Sequence, residues 1–342
     1  MSEGTVSTAP VTPARVLETL NAYQQSAVLR TAIDLDLFTA IGEGNTTLDQ
    51  LARRCVASTR GIRILADYLV VLGLLSKQDG RYAHSPVSEM FLDHRSPACI
   101  ASTARFLLDP NLMAPFDHLT EIVRSGHTTL PGEGAVEENN PVWVEFAESM
   151  GPMMAGYAPS FASVALNGTG GPLRVLDIAA GHGLFGIEVA KQHPGAHVTA
   201  LDWAAVLEVA QRNARKAGVD SRYGVIPGNA FKADFAGPYD LVLLTNFLHH
   251  FDHPTNVALL RKVRAALNPG GRAVTLEFIP NDDRVSPPMP ATFALIMLSG
   301  TVGGDAFTYK ELDAMHREAG FSRTRHELLP NLPQSAVVAY TD

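Results

Sequence analysis

The chain has 342 residues, 46% of them hydrophobic, with 27 basic and 35 acidic side chains for a formal net charge of -8. That is roughly two domains at about 150 residues each, with enough apolar content for real cores. An acidic total argues against a general phosphate-binding surface, and two cysteines, Cys55 and Cys99, are too few for a disulfide framework or a zinc ribbon and fit a reducing, cytoplasmic setting.

Residues 1–12 have neither a basic start nor a long apolar run, so a disordered tail is expected there rather than a signal or transit peptide. No apolar run approaches the ~20 residues of a membrane span, so no membrane partner is expected. From Pro13 onward Val16, Leu17, Leu20, Ala27, Val28, Ala32 and Leu37 recur at helical spacings, and residues 13–125 read as a helical domain. Within it Thr47 caps a helix over 47–54, a second helix starts near Thr59, and "SKQDGRYAHS" predicts a hairpin around Asp79-Gly80. Helix, helix, hairpin is a winged-helix plan, which serves either DNA reading or dimerisation. The second helix, "RGIRILADYLVVLGLL", carries only Arg60, Arg63 and Asp67 as charges. A recognition helix must offer side chains to base edges, so no nucleic-acid partner is expected.

"GHTTLPGEGAVEENNP" at 126–141 breaks the chain, and residues 126–170 read as linker and substrate-lining helices. Over 171–342 strands alternate with helices: "LRVLDIA", a helix from about Gly183, "HVTAL", a helix from Ala204, "RYGVIP", "YDLVLLT", a helix from about Pro254 and "RAVTLEF". Alternation of this kind predicts a parallel sheet wrapped by helices. A helix over 309–319 and two closing strands, "FSRTRHEL" and "SAVVAY", end the chain.

The first of these strands runs into "DIAAGHGLFG", in which Gly181, Gly183 and Gly186 spell G-x-G-x-x-G, with Asp202 closing the next strand. NAD and S-adenosylmethionine both satisfy that pattern. Asp177, set before the glycines, favours the cationic ligand, because a carboxylate there repels a pyrophosphate and attracts an ammonium. Capping of a turn is the plainer use for it.

"VLDIAAGHGLFGIEVAKQHPGAHVTALDW", "PGNAF", "LTNFLHHF" and "GGRAVTLEF" resemble, in order and spacing, the class I S-adenosylmethionine-dependent methyltransferases. More narrowly they are similar to the O-methyltransferases of caffeic acid, acetylserotonin and bacterial polyketide tailoring. The resemblance covers almost the whole chain. It implies an α/β fold: a Rossmann-like, seven-stranded methyltransferase sheet with an N-terminal winged-helix-like dimerisation domain, acting as a homodimer on a small aromatic acceptor. By position Asp177, Ala179, Gly181 and Gly183 line the methionine part of S-adenosylmethionine, and Asp202 with Trp203 holds the ribose. Asn229, Ala230 and Phe231 receive adenine, and Thr245 stands where the family often has a basic residue. The family's three glycines are Ala179-Ala180-Gly181 here, and its adenine-binding acid is Asn229.

The octet "NFLHHFDH", residues 246–253, holds three histidines and an acid at the end of a strand. A metal site built from His249 or His250 with His253 is one reading. Adjacent side chains diverge, however, and no metal is expected. The other reading is a base: a phenol of pKa ~10 resists ionisation at neutral pH by about 4 kcal/mol, and a positioned imidazole can take its proton. The resemblance assigns His249 as that base and Glu277 as its orienting acid, and puts His250, with Phe146, Met150 and Met297, around the acceptor. A second orienting glutamate is missing: "GGDAFT" has Ala306 at that position, with Asp305 beside it. N-, S- or C-methylation, or non-methylating use of the cofactor, on the same scaffold is the alternative within enzymes. An NAD-dependent oxidoreductase rests on the glycine loop alone. A winged-helix ligand-sensing regulator is the alternative outside enzymes.

Overall fold

The computed structural model describes residues 11–330 and 332–341, so the expected tail lies, for its first ten positions, outside the described residues. By packing the chain divides into two compact units, one up to Ala104 and one from Arg105.

In the first unit the local signals act as predicted. The Thr47 side chain accepts from the Gln50 N–H while the Gln50 side chain returns to the Thr47 N–H, which starts the helix Leu48–Arg54. Ser58 caps the helix Thr59–Val71 from one side only, its hydroxyl accepting from the Gly61 N–H. Asp79 and Gly80, with φ of 50° and 75°, make the tight turn between β1 (Leu75–Gln78) and β2 (Arg81–His84). Leu37, Phe38, Leu51, Ile62, Leu69 and Tyr82 form the core. The helix Thr59–Val71 buries only Ile62, Ala66 and Leu69 and leaves Ile64 and Val71 exposed, so it is less enclosed than its apolar sequence suggests. Its Asp67 is taken up by Lys77 at 2.6 Å and by the Tyr82 hydroxyl at 2.7 Å. Further upstream, the helix Ala14–Asn21 buries none of its residues, and Val16, Leu17 and Leu20 stand 61%, 53% and 67% exposed.

The second unit is built on a seven-stranded sheet of order β5-β4-β3-β6-β7-β9-β8. β3 (Leu173–Ile178), β4 (Ala196–Asp202), β5 (Tyr223–Pro227), β6 (Tyr239–Thr245) and β7 (Leu267–Glu277) run parallel. β9 (Ser335–Tyr340) lies antiparallel between β7 and β8 (Arg323–Leu328). The chain order reverses between β3 and β6, and open α/β sheets bind ligands in the crevice that such a reversal leaves at the carboxyl ends. Asp177, Asp202, Thr245 and Glu277 all stand at that edge: Asp177 pairs with Leu243, and Thr245 pairs with Leu276, next to Glu277. Two apolar layers, one on each face of the sheet, hold it flat-on against its helices. The alternation predicted the helices Leu184–Gln192, Ala204–Lys216, His253–Ala265 and Tyr309–Glu318. It did not predict the helix Pro288–Gly300, whose residues are apolar on every side and so carry no 3.6-residue period. Among the described residues no helix is long and apolar enough to cross a membrane.

Candidate active site

The octet folds as three separate pieces. Leu248–His250 form one 3-10 turn, and the Asn256 amide pins it by donating to the carbonyls of Leu248 (2.9 Å) and Phe251 (3.0 Å). The Asp252 carboxylate accepts from the Thr255 N–H at 2.9 Å and caps the helix His253–Ala265. His253 turns away to Glu318, 3.0 Å off. His253 is thus paired with Glu318, and among the described residues no group of three metal-ligating side chains occurs.

His249 and Glu277 do come together. Glu277 Oε2 lies 2.5 Å from His249 Nδ1, both side chains buried. Its other oxygen, Oε1, accepts from the backbone N–H groups of Phe247 (3.0 Å) and Leu248 (2.8 Å), and at 3.4 Å from that of His249. One carboxylate thus fixes both the turn that carries the histidine and the ring itself. A neutral imidazole facing an ionised carboxylate through Nδ1 carries its proton there and leaves the lone pair on Nε2.

The segment carrying Ala306 meets the histidine turn through its backbone. Asp305 N–H donates to the His249 carbonyl at 3.0 Å, and Gly304 packs so closely that a Cβ there would overlap the same carbonyl oxygen. Asp305 does not replace the acid: its carboxylate lies 3.1 Å from Arg284, which also holds Glu311 at 2.5 Å. Ala306 is buried.

Around His249 and His250 stand rings that the sequence reading missed. Phe293 meets His249 edge-on at 4.8 Å and stacks on Phe278 at 4.1 Å. Trp143 meets His250 edge-on at 5.2 Å and Phe146 at 5.8 Å, and Phe106 closes on Phe146 at 5.0 Å. Aromatic edge-to-face pairs of this kind form a stiff wall. Of the expected acceptor residues, Phe146 belongs to this wall and also roofs Gly181, where a Cβ would come within 3.3 Å of its ring. Met297 is buried on the helix Pro288–Gly300. Met150 is packed into the main core with Met154, Phe161 and Phe185.

At the glycine loop Asp177 is 0% exposed and accepts one hydrogen bond, from the Gly186 N–H at 3.1 Å; its Oδ1 has no partner. Burial pushes this carboxyl up to about 7. Gly186 is needed there, since a Cβ would lie 2.7 Å from Asp177 Oδ2. Gly183, with φ of 75°, starts the helix Leu184–Gln192, and a Cβ would strike the buried Tyr223 hydroxyl at 2.5 Å. Ala179 occupies the left-handed region at φ 54° with no glycine to ease it. Asp202 accepts from the Gly181 N–H (2.8 Å) and the Trp203 N–H (2.7 Å), and burial raises its carboxyl to about 6. Trp203 packs with Ala147, Val206 and Val209, linking this loop to the helix Val142–Ser149.

Asn229 Oδ1 accepts from the Phe231 N–H at 2.8 Å, a local turn that leaves its amide N–H groups free, and Lys262 holds the segment by donating to the carbonyls of Ala230 and Ala233. Phe231, Phe247 and Phe251 cluster beside it, with Phe251 4.9 Å from Phe231 and 5.0 Å from Phe247. Thr245 is buried at the end of β6, followed by Asn246 at φ 55°, which bonds the buried Gln334. His182, inside the loop, stacks on Phe146 and takes the Leu184 N–H on Nδ1 at 3.2 Å; burial lowers its pKa to about 4, so it is neutral.

This arrangement has counterparts. Residues 164–322 match the profile of an O-methyltransferase domain, and residues 17–94 that of an O-methyltransferase dimerisation domain. The solved structure of a putative O-methyltransferase from Nostoc punctiforme is 46% identical, with a TM-score of 0.94 over 97% of this chain and 100% of that one. The 3-hydroxy-5-methyl-1-naphthoate 3-O-methyltransferase of Streptomyces sahachiroi is 29% identical over 96% of this chain and 94% of its own length. The tetracenomycin polyketide synthesis 8-O-methyl transferase of Streptomyces glaucescens is 28% identical over 92% of each chain. The chain belongs to the O-methyltransferase family.

Proposed function

We propose that this O-methyltransferase moves a methyl group from S-adenosylmethionine to a hydroxyl of a small aromatic metabolite, with His249 as general base. The observation that carries the reading is the buried 2.5 Å contact between His249 Nδ1 and Glu277 at the carboxyl edge of the sheet. Glu277 holds the imidazole in the tautomer whose Nε2 can accept a proton, and it stabilises the imidazolium that results. The aromatic pairs Trp143–Phe146 and Phe278–Phe293, standing beside the two histidines, suit a flat apolar ring.

The glycine-loop side fits the cofactor. When bound, S-adenosylmethionine supplies a methyl group on a positively charged sulfur. Asp177 Oδ1, buried and unpartnered, is suited to hold its ammonium directly or through water, and the small residues Ala179, Gly181 and Gly183 let backbone approach it. Asp202 retains lone pairs for the ribose hydroxyls beyond the two it spends on backbone. Asn229, Ala230 and Phe231 would take the adenine, next to Phe247 and Phe251, with Thr245 at the strand end nearby. The exposed apolar face of Val16, Leu17 and Leu20 supports homodimerisation through the first unit.

The test follows S-adenosylhomocysteine release with a panel of phenols. His249→Ala is expected to lower kcat by about a hundredfold to ten-thousandfold while S-adenosylhomocysteine still binds. If His250→Ala abolishes turnover and His249→Ala does not, the assignment of the base is wrong.

A further inference from the structure

Three neighbouring strands each bring a titratable side chain to the glycine loop: Asp177 from β3, Asp202 from β4 and Tyr223, the first residue of β5. Tyr223 takes no part in the reading above. Its ring packs in the apolar cluster that holds Val198, Ala200 and Ala210, and its buried hydroxyl has no partner within the protein. That hydroxyl reaches the underside of the loop. A Cβ on Gly183 would come within 2.5 Å of it, and a Cβ on Gly186 would come within 2.7 Å of Asp177 Oδ2. Positions three apart on a helix are neighbours on its surface, with Cβ atoms about 5–6 Å apart. The Tyr223 hydroxyl and the Asp177 carboxyl therefore lie under adjacent points of one helical turn.

The two are complementary. Burial, with Asp177 and Asp202 adding to it, holds the Tyr223 hydroxyl well above its usual pKa, so it keeps a proton to donate. Asp177 Oδ1 is an acceptor with nothing to accept from. Asp202, the other charged group acting on both, already takes the Gly181 and Trp203 N–H groups. A buried donor and a buried acceptor left over side by side are the pairing that native interiors complete, by direct contact or through an ordered water.

Resting on the reading of Asp177 as the carboxylate that meets the cofactor's ammonium, we propose that Tyr223 is its positioning residue. The hydroxyl donates to Asp177 Oδ1, directly or through one buried water, which orients the carboxylate and favours its ionised form. The second lone pair of Oδ1 stays open to the ammonium.

The test measures S-adenosylhomocysteine affinity by calorimetry from pH 6 to pH 8.5 in wild type, Tyr223→Phe, Asp177→Asn and the double variant. Tyr223→Phe keeps the ring and removes only the hydroxyl. Ionised Asp177 then lacks a donor, so the pH below which affinity falls is expected to move up by about one unit. The Kd rises about threefold to tenfold at pH 7 and stays within about twofold of wild type at pH 8.5, a pattern that a loosened core does not give. Beside Asp177→Asn the same substitution changes nothing further. The ligand-free Tm at pH 8 is expected to fall, because removing a buried hydroxyl that has no partner leaves stability unchanged or raises it. A profile that does not move along the pH axis in Tyr223→Phe, a shift that persists beside Asp177→Asn and so runs through Asp202, or a Tm that fails to fall overturns the inference and leaves Asp177 as the partner of the ammonium. Wild-type affinity and pH profile in Asp177→Asn remove that reading, and this inference with it.

Discussion

Two carboxylates stand at the ends of parallel strands along one edge of one sheet, and they are treated in opposite ways. Glu277, closing β7, is saturated: backbone N–H groups of Phe247 and Leu248 occupy one oxygen and His249 the other. Asp177, near the end of β3, accepts a single N–H, from Gly186, and its second oxygen is left without a partner in a fully buried place. A saturated buried carboxylate is a structural and orienting group, because its charge is already matched by fixed dipoles. An under-satisfied one stores an electrostatic demand that a cationic ligand can meet. Strand-end position alone does not separate these two uses; the count of hydrogen bonds does.

The largest effect that would sharpen this contrast is expected from Glu277→Gln. The substitution keeps the shape but removes the charge that fixes the His249 tautomer, so kcat should fall by about a hundredfold to ten-thousandfold with KM for S-adenosylmethionine little changed. Steady-state kinetics would check it, and a loss confined to cofactor KM would place Glu277 on the wrong side of the comparison.

Asp177→Asn should do the reverse. Losing a charge-assisted contact is expected to raise the Kd of S-adenosylhomocysteine at pH 8 by about tenfold to a hundredfold, read by calorimetry. The pH dependence has a definite sign. With its carboxyl near 7 in the folded protein, against about 4 unfolded, the folded state holds a proton that the unfolded chain has released between those values. The ligand-free protein therefore loses stability from this group as pH rises from 4 to 7. Ligand affinity moves the other way and weakens as pH falls through about 7, since a neutral carboxyl does not attract an ammonium. Asp202, raised to about 6, adds the same sense over a lower range, so only the portion abolished in Asp177→Asn belongs to Asp177. A flat wild-type affinity profile between pH 6 and 8 would break the contrast.

A smaller effect is expected at Ala179. Holding a non-glycine residue at φ 54° costs about 1–2 kcal/mol, and Ala179→Gly gives back about 0.5–1 kcal/mol of that through the freer unfolded chain. The net gain should lie between about 0 and 1.5 kcal/mol, measurable as a modest rise in Tm. A clear loss would mean that the methyl group packs in a way its backbone strain conceals.

Strand alternation made the sheet and its ligand-binding edge legible in the sequence, and similarity to a known motif pointed to His249 and Glu277, which the fold then joined. What stayed hidden was whatever depends on contacts across the fold. Trp143 and Phe293 are ordinary apolar residues until the helices Val142–Ser149 and Pro288–Gly300 bring their rings against the histidines, and Phe278, just beyond β7, until Phe293 stacks on it. Met150, matched to an acceptor residue by position, is buried in the apolar cluster with Met154, Phe161 and Phe185. Asp305 stood beside the missing acid in sequence, but Arg284, twenty-one positions earlier, draws its carboxylate away. The left-handed backbone of Ala179 has no signature in an alanine at all.

Gly304 sets a rule for anyone wishing to redirect this enzyme to other acceptors. Any side chain there must displace the His249 carbonyl oxygen, the Thr301 hydroxyl and the carbonyl carbon of His250. In a randomised library position 304 would therefore read as intolerant, and a survey ranking positions by lost turnover would mistake it for a substrate contact. With His249 as the proposed base, diversity is better placed at Trp143 and Phe293, whose rings stand beside the two histidines, than at Gly304, where a side chain would move the histidine turn itself.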